Sequence, residues 1–275
     1  MLVDYHMHLA TDHDAVVGQQ LSVEAVRARA RAARERGIDE ICITEHTHRF
    51  AAVRGLFDDP FWNDTAVTDL GEYLAVVAEA GVVDGVTVLR GIELDWVPEI
   101  QDALAAIVEP FAFDIVLGAV HWLDGRAVDL PGGIWEHYDV ATVWRRYFAE
   151  LRAAAASGTF DVMAHPDLVK IFDRRPDPGI VESEFRATAE AFAAAGVSSE
   201  INTAGLRKPI GEPYPDARLL ELLCAAGVPL SLGSDAHIVD DVGRDFDVAL
   251  RLAHAAGYRT VSRFRDRERE QVPLG

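Results

Sequence analysis

Asp4-Tyr5-His6-Met7-His8 closes the first apolar run of the chain, and Ser234-Asp235-Ala236-His237 closes a later one. A His-x-His pair directly after a strand aims two imidazoles at one point just past the strand tip. An Asp-x-His pair after a later strand does the same from across a barrel. Collecting such groups at one rim is costly unless a cation holds them. The reading therefore starts from a metal centre and asks which fold presents it.

Apolar β-like runs alternate with Ala/Arg/Glu-rich helical segments. Strands are predicted over 2–6, 40–44, 86–93, 114–120, 160–164, 197–201 and 229–233. They are short and apolar on both faces, as in a sheet covered on both sides. Helices are predicted over 23–36, 70–80, 99–108, 141–157, 182–195, 216–226 and 244–256. Ser22 has the character of an N-cap, and glycines such as Gly37 and Gly196 follow helices where a left-handed residue closes the last turn. Seven βα units imply a parallel sheet closed into a barrel, with 260–264 as a vestigial eighth strand. Residues 1–275 read as one domain, and 263–275 as a charged, solvated C-terminal tail. The irregular stretches 50–68 and 125–139 are expected to loop over the rim.

Composition narrows the function. A chain of 275 residues with 49% hydrophobic content accommodates one large α/β barrel. A net charge of −19 argues against a nucleic-acid partner, which needs a basic face. It does not argue against a phosphate monoester, because cations and a few local Arg or Lys residues can supply positive charge. Cys42 and Cys224, both in apolar runs, read as core residues rather than a disulfide. With no basic-then-apolar leader and no apolar run of spanning length, we expect no membrane association and a cytoplasmic location. Oligomeric state is not legible.

The polar residues fall at matching places. His6 and His8 end strand one; Glu45 and His46 follow strand two; Glu93 ends strand three; His121 follows strand four; His165 follows strand five; Glu200 and Asn202 end strand six; Asp235 and His237 follow strand seven. The C-terminal strand ends of a parallel barrel form its active-site face. Imidazole mixed with carboxylate suits Zn²⁺, Mn²⁺ or Fe²⁺, and the set is large enough for more than one ion. A single strand-end histidine is more often a structural, hydrogen-bonded residue. That reading is kept for His48 and His254, with His137 left open, but it weakens when every strand end carries a candidate.

On these residues the chain resembles the PHP (polymerase and histidinol phosphatase) family of metal-dependent phosphoesterases. Thr44-Glu45-His46, Gly91-Ile92-Glu93, His121, His165 and the two opening phrases carry the resemblance. It is closest to the histidinol-phosphate phosphatase branch, through Glu200-Ile201-Asn202-Thr203-Ala204-Gly205-Leu206-Arg207-Lys208-Pro209, Tyr214-Pro215 and His165-Pro166-Asp167-Leu168 with Lys170 behind. The resemblance implies a distorted (β/α)7 barrel, a role in histidine biosynthesis and a site of two or three divalent ions. By motif, His6, His8, Glu93 and Asp235 hold the first, and Glu93 bridges to a second completed by His121 and His165. His46 and His237 hold a third with a residue of the loop after His8. There His13 has the commonest spacing, with Asp12 and Asp14 as alternatives.

The expected reaction is metal-assisted hydrolysis of a phosphate monoester. Glu93, Asp235 and His237 are the catalytic centre, and Arg207 stabilises phosphoryl charge. Lys170 and Lys208 are weaker phosphate candidates, with a surface lysine as the alternative for each. For L-histidinol phosphate the substrate ammonium favours nearby acids, so Asp95, Trp96 and Trp122 are placed at that end of the pocket, with rim packing as the alternative for the tryptophans. The competing readings are a phosphoesterase of another small metabolite, such as a nucleotide or sugar phosphate, and a metal-dependent C–N hydrolase. A non-catalytic module attached to a polymerase is disfavoured by the ligand set.

Overall fold

The computed structural model describes residues 1–10 and 21–275. The first half runs β1 (Val3–Asp4), α1 (Val23–Glu35), β2 (Glu40–Ile43), α2 (Pro60–Thr65), α3 (Leu70–Ala80), β3 (Val82–Val83), β4 (Val86–Asp95) and α4 (Gln101–Val108). The second runs β5 (Ile115–Ala119), β6 (Trp122–Leu123), β7 (Arg126–Ala127), α5 (Val140–Ala156), β8 (Val162–Met163), α6 (Pro178–Ala195), β9 (Ser198–Asn202), α7 (Ala217–Ala225), β10 (Leu230–Gly233), α8 (Phe246–Ala256), β11 (Thr260–Arg265) and β12 (Glu268–Pro273).

Strands β1, β2, β4, β5, β8, β9 and β10 pair in that order, each parallel to the next. The two ends meet. The N–H of Tyr5 donates to the Leu232 carbonyl at 2.9 Å, that of Asp235 to the His6 carbonyl at 2.8 Å, and that of His8 to the Ala236 carbonyl at 2.9 Å. The expected distorted seven-stranded barrel is thus closed through the segments that carry the two opening motifs. All residues of β2 and β5 are buried, which is why their sequence lacks an alternating pattern. Helix α1 covers the outside with Val26, Ala30 and Ala33, and the Ser22 hydroxyl accepts the Ala25 N–H at 3.1 Å, as its sequence position suggested. No helix among the described residues is long and apolar enough to cross a membrane.

Two readings need correction. Segment 50–68 is not wholly irregular: α2 forms inside it, with Asp59 accepting the Trp62 N–H at 3.0 Å and Pro60 in the first turn. Asp-Pro is a helix-start signal that the sequence carried. Segment 260–275 is not an eighth barrel strand, and although residues 266–271 are exposed as a solvated tail would be, the segment has regular structure. It is the antiparallel hairpin β11–β12, turning at Asp266 and Arg267, both at positive φ. Val261, Ser262 and Phe264 are buried, and the Phe264 ring meets Tyr5 edge-on at 6.1 Å. The hairpin covers the N-terminal ends of the barrel strands. There Arg265 pairs with Glu40, and Arg267 pairs with Asp161 at 2.9 Å. Abundant charge hid the inward residues of β11, because its arginines extend to acids at the strand starts rather than into water.

Phe264→Ala should therefore cost about 3–5 kcal/mol, as expected for an aromatic truncated in a core. Urea unfolding measures it; a loss below about 1 kcal/mol would show that the hairpin is an appendage.

Candidate metal centre

Strand ends of the barrel deliver their polar residues to one mouth, where Glu93 stands at the middle. Its carboxylate oxygens lie 2.5 Å from His46 Nδ1, 2.9 Å from His165 Nε2, 3.3 Å from His6 Nε2, 3.6 Å from His121 Nε2 and 3.8 Å from His8 Nε2. Asp235 Oδ1 lies 3.3 Å from His8 Nε2 and 3.7 Å from His6 Nε2. The rings of His8 and His46 stack at 4.0 Å and those of His8 and His237 at 4.3 Å, with His46 Nε2 3.3 Å from His237 Nε2. Among the described residues, four groups have ligand atoms mutually within 4.8 Å: His6/His8/Glu93, Glu93/His121/His165, His6/His165/Asp235 and His8/His46/His237.

These residues fit cations. His6 Nε2, His8 Nε2, His46 Nδ1 and Glu93 Oε2 are buried and make no hydrogen bond of acceptable geometry, although they crowd together. Atoms that converge without pairing are arranged as ligand atoms are, and each costs about 1–3 kcal/mol when left so. The electrostatics agree. Burial favours a neutral Glu93, yet His46, His6 and His121 outweigh it and hold its carboxyl well below the usual range. Burial likewise opposes an ionised Asp235, but His6, His8 and His237 hold its carboxyl low. Burial, then His46 and His237, push His8 well below an ordinary histidine, leaving it a neutral ligand.

Supporting groups fix the ring orientations. Glu200 Oε1 bonds His6 Nδ1 at 2.9 Å while its Oε2 accepts the His165 N–H at 2.8 Å. Asp95 Oδ1 bonds His121 Nδ1 at 2.7 Å. Such carboxylates fix the tautomer and raise the basicity of the outward nitrogen. A Cβ on Gly233 would lie 1.9 Å from Glu200 Oε1 and 2.5 Å from His6 Cβ, so only glycine fits beneath this pair. His165 and Asp235 both adopt positive φ, of 25° and 52°, a strained backbone that surrounding contacts must hold. Asp4 takes no part in the ligand set. It accepts the Ser234 N–H at 2.9 Å, the Ser234 hydroxyl at 2.6 Å and the Gly243 N–H at 2.9 Å, tying strand one to the Asp235 turn. Burial, partly offset by these bonds, raises its pKa to about 6.

Thus His6, His8, His46, Glu93, His121, His165, Asp235 and His237 come together, while His13, Asp12 and Asp14 lie outside the described residues. Other assignments change. Asp95 is buried and committed to His121, not to a substrate ammonium. Lys170 is no surface lysine: it is fully buried, 3.0 Å from Asp167, and donates to the Pro213 carbonyl at 2.8 Å. Those partners hold its ammonium within the protein. Lys208 is exposed. Trp122 packs against Phe57 at 4.9 Å, and Trp96 donates to Glu150 at 2.7 Å; both follow the packing alternative. Arg207 donates to the Ser234 carbonyl at 2.7 Å, with Nε 3.4 Å from Asp241. His48 stacks on His46 at 4.9 Å, whereas His137 and His254 are exposed.

A closed parallel barrel with this His/Glu/Asp set at its C-terminal mouth defines a metal-dependent barrel hydrolase. The chain belongs to the PHP domain family, whose model matches residues 4–204. A Deinococcus radiodurans protein named "Probable histidinol-phosphatase" is 33% identical over 254 residues, covering 88% of this chain and 91% of that one. "Histidinol-phosphatase" of Bacillus subtilis is 25% identical over 83% of this chain and 93% of its own length. The fold is shared with the histidinol phosphate phosphatase of Lactococcus lactis, whose crystal structure is complexed with zinc, L-histidinol and phosphate. The TM-score is 0.77, at 21% identity over 98% of both chains.

Removal of metal should be visible without any assay of turnover. Chelation of metal-loaded protein should lower its melting temperature, and Zn²⁺ or Mn²⁺ should restore it, because buried ligand atoms lose their partner. Glu93→Gln should bind fewer ions per chain by elemental analysis; unchanged stoichiometry would exclude a shared carboxylate.

Proposed function

We propose that this chain is a cytoplasmic metal-dependent phosphatase that hydrolyses L-histidinol phosphate to L-histidinol and phosphate, with two or three divalent transition-metal ions. The observation that carries the reading is the convergence of His6, His8, His46, His121 and His165, from four strand ends, on Glu93, with Asp235 beside His6 and His8. Relatives that align over most of both chains and carry the histidinol-phosphatase name support the substrate. In this reading His6, His8, Glu93 and Asp235 would hold one ion, and Glu93 with His121 and His165 a second. His46 and His237 would hold a third with a residue of the loop after His8, of which His13 has the commonest spacing and Asp12 and Asp14 are the alternatives. Bound cations would supply Lewis acidity toward the phosphoryl oxygens and lower the pKa of water.

The chain's own residues do the rest. Glu200 and Asp95 keep His6 and His121 turned inward. Arg207 lies at the end of the 3-10 turn Thr203–Arg207 that follows β9, and its guanidinium is pinned to the Ser234 carbonyl beside Asp235. A planar fork fixed at that place suits two phosphate oxygens better than a lysine would. Gly205 makes the turn possible, since a Cβ there would lie 2.1 Å from the Glu212 carbonyl oxygen.

The enzyme should turn over L-histidinol phosphate with higher kcat/KM than aryl phosphates or nucleoside monophosphates. Equal or better turnover of a nucleoside monophosphate would reassign the substrate. Arg207→Ala should lower kcat/KM by roughly 10²-fold, on the order of 3 kcal/mol, with metal content unchanged. A lowered melting temperature with near-normal kcat/KM would make Arg207 only a strut between Ser234 and Asp241.

A further inference from the structure

Two of the inward histidines have a carboxylate behind them, Glu200 for His6 and Asp95 for His121, at 2.9 and 2.7 Å. His8 has the same need. Its Nε2 faces Asp235 and Glu93, so its Nδ1 points away from the ligand cluster. Glu45 Oε2 lies 4.0 Å from that Nδ1, and both atoms are buried with no hydrogen-bond partner. The other oxygen of Glu45 is already fixed, accepting the N–H groups of Leu9 at 2.5 Å and Ala10 at 2.9 Å. Behind it stands Arg29 of α1, also buried, donating to the Leu9 carbonyl at 3.3 Å and the His237 carbonyl at 3.4 Å. Arg29 therefore joins the segment after His8, whose Leu9 N–H Glu45 accepts, to the segment bearing His237.

We propose that Glu45, braced by Arg29, is the positioning carboxylate of His8, closing from 4.0 Å to a hydrogen bond with Nδ1–H when Nε2 takes a cation. The proposal rests on the metal-centre reading. His8, His46 and His237 form a group made of imidazoles alone. A negative partner behind His8 makes its outward nitrogen more basic and so raises affinity where the ligand set is weakest. Removing such a partner typically costs about 10–100-fold in metal affinity.

Glu45→Gln separates this role from simple bracing of the loop. An amide can keep its oxygen on the Leu9 and Ala10 N–H groups, which turns its NH₂ toward the Nδ1–H of His8. Zn²⁺ affinity of each position is read by chelator competition, and the Nδ1–H of His8 by proton–nitrogen NMR of the zinc-loaded protein. The expected result is a roughly 10–100-fold weaker affinity at one position, loss of the downfield hydrogen-bonded Nδ1–H signal, and an unchanged metal-free melting temperature. Glu45→Asp should not rescue the signal, since the shorter side chain cannot keep both contacts. Unchanged affinity in Glu45→Gln with weakened affinity only in Glu45→Ala would make Glu45 a loop brace and overturn the proposal. Wild-type protein that takes up no Zn²⁺ would overturn the metal reading and this proposal together.

Discussion

A buried carboxylate surrounded by five imidazoles is the constraint on which the mouth of this barrel depends. Glu93 has almost no exposure, and His6, His8, His46, His121 and His165 all lie within 3.8 Å of it. Carboxylate and imidazole both lose hydration there, and the cost is repaid only by directed pairing or by a cation. Glu93 can occupy this place because β4 is long: it continues past the end of β2, and the Glu93 N–H bonds the Glu45 carbonyl at 3.0 Å. The same extension carries Asp95 to His121, so one strand supplies both the shared ligand and the support of a neighbouring one.

The ligand set was legible because each member ends or follows an apolar run, and strand ends of a parallel barrel share one face. Barrel closure was legible for the same reason. The partners of the supporting groups were not, even for Glu200, which the sequence had placed at the rim. Glu200 meets His6 across 194 positions, and Arg29 meets His237 across 208. Local sequence put Glu200 at a strand end but named no partner for it, and it did not distinguish Arg29 from a helix-surface arginine. Asp95 shows the limit most clearly. Its place after Glu93 suggested a pocket wall, but alternation along β4 turns its side chain to the same face as Glu93, toward His121. Lys170 was misread because a lysine seldom stays buried, and only the fold reveals Asp167 three residues before it as its partner. The hairpin β11–β12 was missed because its turn, Asp266-Arg267, lacks the glycine that usually marks one.

Acids stand at both ends of the barrel, and the chain treats them differently. At the N-terminal end, Glu40 pairs with Arg265, Asp161 with Arg267, and Asp114 with Arg90 at 3.1 Å. At the C-terminal end, Glu93 and Asp235 face histidines instead. The difference is chemical. A guanidinium stays protonated at any working pH and offers no lone pair, so it neutralises an acid permanently and fastens the hairpin to the barrel. An imidazole can shed its proton and present a nitrogen lone pair, so an acid balanced by imidazoles can exchange protons for a metal ion.

That division fits the way Arg207 and Arg29 are held near the mouth. Arg207 is held on the Ser234 carbonyl and Asp241, and Arg29 on the carbonyls of Leu9 and His237. In both cases the guanidinium is bound through backbone oxygens next to a ligand residue, not through the ligand carboxylate. A direct pair with Glu93 or Asp235 would have satisfied the acid and removed it as a ligand. The protein thus uses its permanent cations to set the path of the backbone and leaves the two buried carboxylates to groups that can give way.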